Sequence, residues 1–165
     1  KDTANDPTLP KRLTPGPCRY CQSRQNGVCA AFDATSPASA SMLDRMRSTW
    51  RRVEPGTVIY RQGDPADLVC TVVDGWVMLV HDSPAGERQI LDFVLPDGVF
   101  GIEPCHLPYG HTAETLTQAT ICVVPREAHD QARRENPDFN DAIECALACI
   151  VRRASTERSS RCAFV

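Results

Sequence analysis

Nowhere does the sequence approach the roughly 20 consecutive apolar residues of a membrane-spanning helix, so no membrane is expected as a partner. Its opening, Lys1-Asp2-Thr3-Ala4-Asn5-Asp6, has no secretory pattern, and a cytoplasmic location is expected. Aromatic residues are few, at 6%, so a core must come mainly from Val, Ile, Leu and Ala. Positive charge is not in excess: 18 Lys and Arg stand against 21 Asp and Glu, a net charge of −3. A strongly basic nucleic-acid-binding domain is thereby excluded for the chain as a whole. The composition is not that of a disordered chain either, with 42% hydrophobic and 24% charged residues.

The length, 165 residues, suits one domain with an appendage. Against that ordinary background stand nine cysteines. Nine is odd, so they cannot all pair within the chain, and a secreted disulfide scaffold is usually shorter and even-numbered. Thiols in a reducing compartment, some of them open to a metal, are the better reading.

Four segments are expected. Residues 1–17, with Pro7, Pro10, Pro15, Gly16 and Pro17 and no periodic pattern, read as a flexible arm. Residues 18–32 form a cysteine-rich loop. Residues 33–134 form the main domain, opening with a turn and a helix near 38–48 that Ser36 and Pro37 would cap. Met42, Leu43 and Met46 would be its apolar side. From Val53, short β-branched runs alternate with turn residues: 58–60, 68–73, 76–81, 89–94, 99–100, 114–117 and 120–124. So many short strands predict an antiparallel sandwich or barrel. Asp74-Gly75 between two such runs predicts a tight hairpin. Pro125 ends the sheet, and a short helix near 126–134 follows. Residues 135–165 hold a longer helix over 138–158. Its stripe of Phe139, Ala142, Ile143, Ala146, Leu147, Ile150 and Ala154 suits one packing partner, either the chain's own sheet or an identical helix.

Cys18-x2-Cys21-x7-Cys29 puts three thiols within twelve residues of loop. No apolar face accounts for them there, whereas buried structural cysteines belong on such faces. Two cysteines two residues apart can curl round one ion, and a third adds another face. Zinc and iron–sulfur centres both take four thiolates. The fourth must come from Cys70, Cys105, Cys122, Cys145, Cys149 or Cys162. Cys70 and Cys122 lie in β-branched runs, where packing is the default. Cys145 and Cys149, one helical turn apart, read as flank packing. Cys105, in a loop beside His106, is a rival ligand. His81, His106, His111 and His129 are scattered, read as surface or loop histidines, and no catalytic arrangement is visible, so an enzyme is not expected.

The stretch PGTVIYRQGDPADLVCTVVDGWV at 55–77, continued by GERQILDFVLPDGVFG at 86–101, resembles the cyclic-nucleotide-binding-type sensor fold. The N-terminal CRYCQSRQNGVC is similar to the oxygen-sensing, Fnr-like branch of the Crp–Fnr transcription regulators. The resemblance spans about residues 41–160. It implies a mainly β domain with flanking helices, a double-stranded β-helix of jelly-roll type followed by a C-terminal dimerisation helix. It also implies a [4Fe–4S] cluster held by Cys18, Cys21, Cys29 and Cys122, because Thr120-Ile121-Cys122-Val123-Val124-Pro125 matches the position of that branch's fourth ligand. The alternative is zinc in the same thiols, in an interaction module without redox sensing.

On this reading the chain is a sensor domain that controls dimerisation and DNA binding in response to oxygen. The homodimer would form through Phe139, Ile143, Leu147 and Ile150. DNA would be reached only through a C-terminal domain outside this chain, since residues 152–165 resemble the start of a linker. Residues 101–115 contain no arginine to clamp a phosphate, and Glu114 would repel one, so no cyclic nucleotide is expected as ligand. Arg19 and Arg24 would offset the negative charge of thiolates in the loop.

Overall fold

A computed structural model describes Cys18 and residues 21–32, 36–104 and 107–162, with Gln22 and residues 151–162 through their backbone only. The expected arm at 1–17, Arg19, Cys105 and His106 lie outside the described residues.

Among the described residues, runs rich in β-branched side chains form eight strands: β1 (Thr49–Val53), β2 (Val58–Tyr60), β3 (Leu68–Asp74), β4 (Val77–Asp82), β5 (Arg88–Val94), β6 (Val99–Phe100), β7 (Thr112–Thr115) and β8 (Ala119–Pro125). They make two four-stranded antiparallel sheets, ordered β1-β8-β3-β6 and β2-β7-β4-β5. The fold is the expected jelly roll, mainly β with flanking helices. Its inner faces supply Val72, Val77, Ala113 and Ile121, each at most 1% exposed. Burying side chains of the size of Val or Ile contributes about 1.5–3 kcal/mol each.

Among the described residues three helices flank the roll: α1 (Pro37–Arg45), α2 (Arg126–Glu135) and α3 (Pro137–Cys162). Ser36 caps α1, its Oγ accepting from the Ser39 N–H at 3.4 Å, with Pro37 at the first helical position. Asn136 caps α3 in the same way, its Oδ1 accepting from the Phe139 N–H at 3.1 Å. These helices and the cysteine-rich loop cover the outer face of β1-β8-β3-β6. They close a second core there, built from Val28, Phe32, Leu43, Val69, Val124 and Phe139 among others.

Three expectations are corrected. Strand β1 was not foreseen, because Arg51 and Arg52 break its apolar texture while Val53 alone is fully buried. Asp74-Gly75 is not a hairpin, since β3 and β4 belong to different sheets. It is a corner instead. Gly75 has φ +86°, and a Cβ there would lie 2.5 Å from the Gln118 carbonyl oxygen. The true hairpin joins β4 and β5 at Ser83–Glu87, where the Ser83 N–H donates to the Glu87 carbonyl at 2.8 Å. The third correction concerns the α3 stripe. Phe139 and Ile143, expected at a dimer contact, are 1% and 0% exposed in the chain's own second core. Leu147 is partly buried against the same core, and only Ile150 is exposed. The sheet's outer face takes the stripe because the loop and α2 leave an apolar slot there.

Candidate functional site

The cysteine-rich loop is shaped by backbone hydrogen bonds. The Cys21 N–H donates to the Cys18 carbonyl at 3.1 Å, which curls the Cys-x2-Cys segment. Two 3₁₀ turns follow, Gln22–Arg24 and Val28–Ala31. Between them Gly27, at φ +63°, presses on the β5–β6 turn so closely that a Cβ would lie 2.7 Å from the Asp97 carbonyl oxygen. Arg24 ties the loop's ends together, its Nη2 donating to the Phe32 carbonyl at 2.8 Å. Phe32 then anchors the loop in the second core, its ring 4.7 Å from that of Phe139.

Cys122 approaches from the other side. It stands on β8, paired with Trp50 of β1 and Thr71 of β3. Side chains alternate along a strand. Ile121 and Val123 therefore enter the roll, and Cys122 and Val124 face the loop. All four expected ligands, Cys18, Cys21, Cys29 and Cys122, line one small cavity of about 30 Å³ whose walls also include Arg24, Ser48 and His129. Cys70 does not join them. It is 0% exposed inside the roll, as packing predicts. Cys145 and Cys149 are exposed on α3.

Electrostatics couple the four thiols. Burial raises Cys122 well above the usual thiol value, and the nearby Cys18, Cys29 and Cys21 raise it further. Cys29 is pushed up to about 12 by burial, with Cys18 and Cys21 adding to it and Arg24 opposing. Cys18 is raised by burial, partly offset by Ser48, whose Oγ is 2.7 Å from its Sγ. Burial thus favours the neutral thiols of Cys18, Cys29 and Cys122. A cation would reverse the balance, so its binding must release protons and weaken at low pH. Among the described residues, no three His, Cys, Asp or Glu side chains are already drawn to metal-ligand spacing. The donor set fits an iron–sulfur centre or zinc in kind: soft thiolates converging on a largely apolar cavity.

One histidine departs from the expected surface or loop placement. His129 on α2 is 2% exposed. His111, as expected, lies in a loop, half-buried before β7, where the Tyr60 hydroxyl is 2.7 Å from its Nε2 and Glu103 lies 3.6 Å from its Nδ1. The apolar spacing of Ala128 and Ala132 on α2 was the signal available for His129. On the opposite sheet Glu114 is paired with Arg88 of β5. The arginine missing from residues 101–115 is thus supplied to Glu114 by another strand, and its carboxylate is not the bare negative charge the sequence suggested.

Known proteins confirm the frame. The family model for the cyclic nucleotide-binding domain matches residues 50–136. A protein of Rhizobium leguminosarum described as "Probable transcriptional activator" is 29% identical over 130 residues, 79% of this chain and 52% of that one. The transcriptional activator protein anr of Pseudomonas aeruginosa is 30% identical over 98 residues, 59% of this chain and 40% of that one. The solved structure of FixK2 from Bradyrhizobium japonicum superposes with a TM-score of 0.61 at 27% identity, covering 66% of this chain and 55% of that one. The chain spans about half the length of the curated relatives it matches.

Proposed function

The chain belongs to the cyclic nucleotide-binding domain family, in its Crp–Fnr group of transcription regulators, and from that premise we propose that it is an oxygen-responsive sensor domain whose cofactor is a [4Fe–4S] cluster. The observation that supports this reading is the convergence of Cys18, Cys21, Cys29 and Cys122 on one cavity. Those four would be the ligands. When bound, the cluster supplies an oxidant-sensitive inorganic centre.

The chain's own residues provide the transmission. The loop that carries three of the thiols is the same loop that packs on α3, through Val28 and Phe32 against Phe139 and Ile143. Holding the thiols together holds that loop, and the loop bears on the helix. Releasing them frees Phe32 and changes the surface against which α3 packs. A switch of this kind needs only a few kcal/mol between two arrangements. Arg24 sits on the cavity wall, where its guanidinium opposes the negative charge of ionised thiols. The dimer contact of this reading moves to the part of α3 left exposed around Cys145, Cys149 and Ile150. Control of DNA binding is proposed for the whole regulator.

Elemental analysis of protein prepared without oxygen tests the reading. Iron and acid-labile sulfide in equal amounts, with a brown colour bleached by air, are expected. Cys122→Ser should abolish both. Colourless protein without iron, or a brown Cys122→Ser variant, would refute it.

A further inference from the structure

We propose that Cys145 and Cys149 on α3 are a thiol-modification site: they exchange with a low-molecular-weight disulfide, and the adduct blocks the face of α3 on which a second copy of the chain packs. The blocking role rests on the proposed function, which puts the dimer contact on that part of α3; the modification itself does not.

Cysteine is among the most buried residue types, and most of the described cysteines follow that rule. Cys70 is sealed inside the roll, and Cys18, Cys21, Cys29 and Cys122 are half-buried around the thiol cavity. Among the described thiols Cys145 and Cys149 alone are exposed. They stand four residues apart on one helix, so both project from the same face. The second core does not use that face, since it takes Phe139 and Ile143 instead.

The surroundings admit a ligand. The two cysteines line an open cavity of about 640 Å³ between α3 and the β5–β6 turn, whose opposite wall carries Phe93 and Leu95. Phe93, Leu95 and Ile150 are themselves exposed. A small disulfide can therefore reach both sulfurs and leave half of itself behind in the cavity.

The step is an exchange. The thiolate of Cys145 or Cys149 attacks one sulfur of the small disulfide. A new S–S bond joins that half to the chain, the old S–S bond breaks, and the other half leaves as a thiolate that takes up the proton the cysteine gave. One disulfide is consumed and one is formed. The helix cannot discard the adduct by closing a bridge of its own. Cβ atoms one helical turn apart are about 5–6 Å apart, against about 3.5–4.5 Å in a disulfide. The adduct therefore persists until an outside thiol removes it, and meanwhile it holds a bulky polar group where two helices must come close. Oxidation then opposes pairing twice, through the loop and through the helix face.

The test uses the full chain prepared without oxygen and incubated with oxidised glutathione. Peptide mapping by mass spectrometry over time locates the adducts, and analytical ultracentrifugation follows assembly. The first adducts are expected on Cys145 and Cys149, with a loss of dimer that dithiothreitol reverses. The double variant Cys145→Ser, Cys149→Ser should lose the early uptake and keep its dimer fraction in oxidised glutathione. Adducts that form sooner on any other cysteine, Cys105 and Cys162 included, would overturn the proposal. So would a covalent dimer or an internal Cys145–Cys149 bridge in place of the mixed disulfide, or a modified wild type that pairs as well as the reduced one. Reduced protein that never dimerises overturns the blocking role and the proposed dimer contact together, while the map still decides the modification. Protein that carries no iron yet takes its first adducts on Cys145 and Cys149 refutes the cluster reading and leaves this site standing.

Discussion

At the scale of single residues, burial decides which groups carry charge. Burial holds His111 below its ordinary value of about 6.5, with Glu103 pulling weakly the other way. The folded chain therefore resists a proton that the unfolded chain accepts. Stability present above pH ~6.5 is lost as pH falls through that value towards the folded one. Urea unfolding at a series of pH values should show this loss, and His111→Asn should reduce it. An identical pH profile in the variant would mean that His111 is not the group. Gly75 offers a backbone test. Gly75→Ala meets both a positive φ and the Gln118 carbonyl, and should cost more than about 1 kcal/mol, read as a lower urea midpoint. His129 shows how a residue's place can escape sequence reading. Only the short Ala128 and Ala132 mark its side of α2 as apolar, and the packing of α2 against α3 encloses it.

At the scale of elements, the loop and α3 act as one packed unit. Phe32 is 2% exposed and shares its contacts with Phe139. Phe32→Ala should cost about 3–5 kcal/mol and speed amide exchange in the first turns of α3 as well as in the loop. Faster exchange in the loop alone would show that the two are uncoupled. The amphipathic stripe of α3 was legible in the sequence, but its partner was not. A stripe records that a face is buried, not what buries it. The sheet's outer face, apolar at Val69 and Val124, claimed Phe139 and Ile143.

At the scale of the whole molecule, the cavity links the two ends of the domain: thiols from a loop before the roll and one from its last strand. On the proposed reading, a centre that binds the folded chain more tightly than the unfolded one would stabilise the fold. If the proposed centre is present, stripping it with a chelator should lower the melting temperature of the wild type and leave that of Cys122→Ser unchanged. Loading should also release protons, measurable as buffer-dependent heat in calorimetry. An equal melting temperature before and after stripping would mean that the centre does not tie the loop to the roll. Among the described residues, no helix is long and apolar enough to cross a membrane.

The sequence by itself determined the strand-rich texture, the ends of most strands and the Cys18-Cys21-Cys29 cluster, because turn residues and thiol spacing are local signals. Cys122 was legible only through resemblance, since a cysteine in a β-branched run is indistinguishable from packing until the strand's two faces are assigned. Tertiary structure alone decided that Asp74-Gly75 turns a corner between sheets, that α3 spends its stripe on its own chain, and that His129 sits among thiols. Each of these depends on which distant surfaces meet, and residue periodicity carries no information about that.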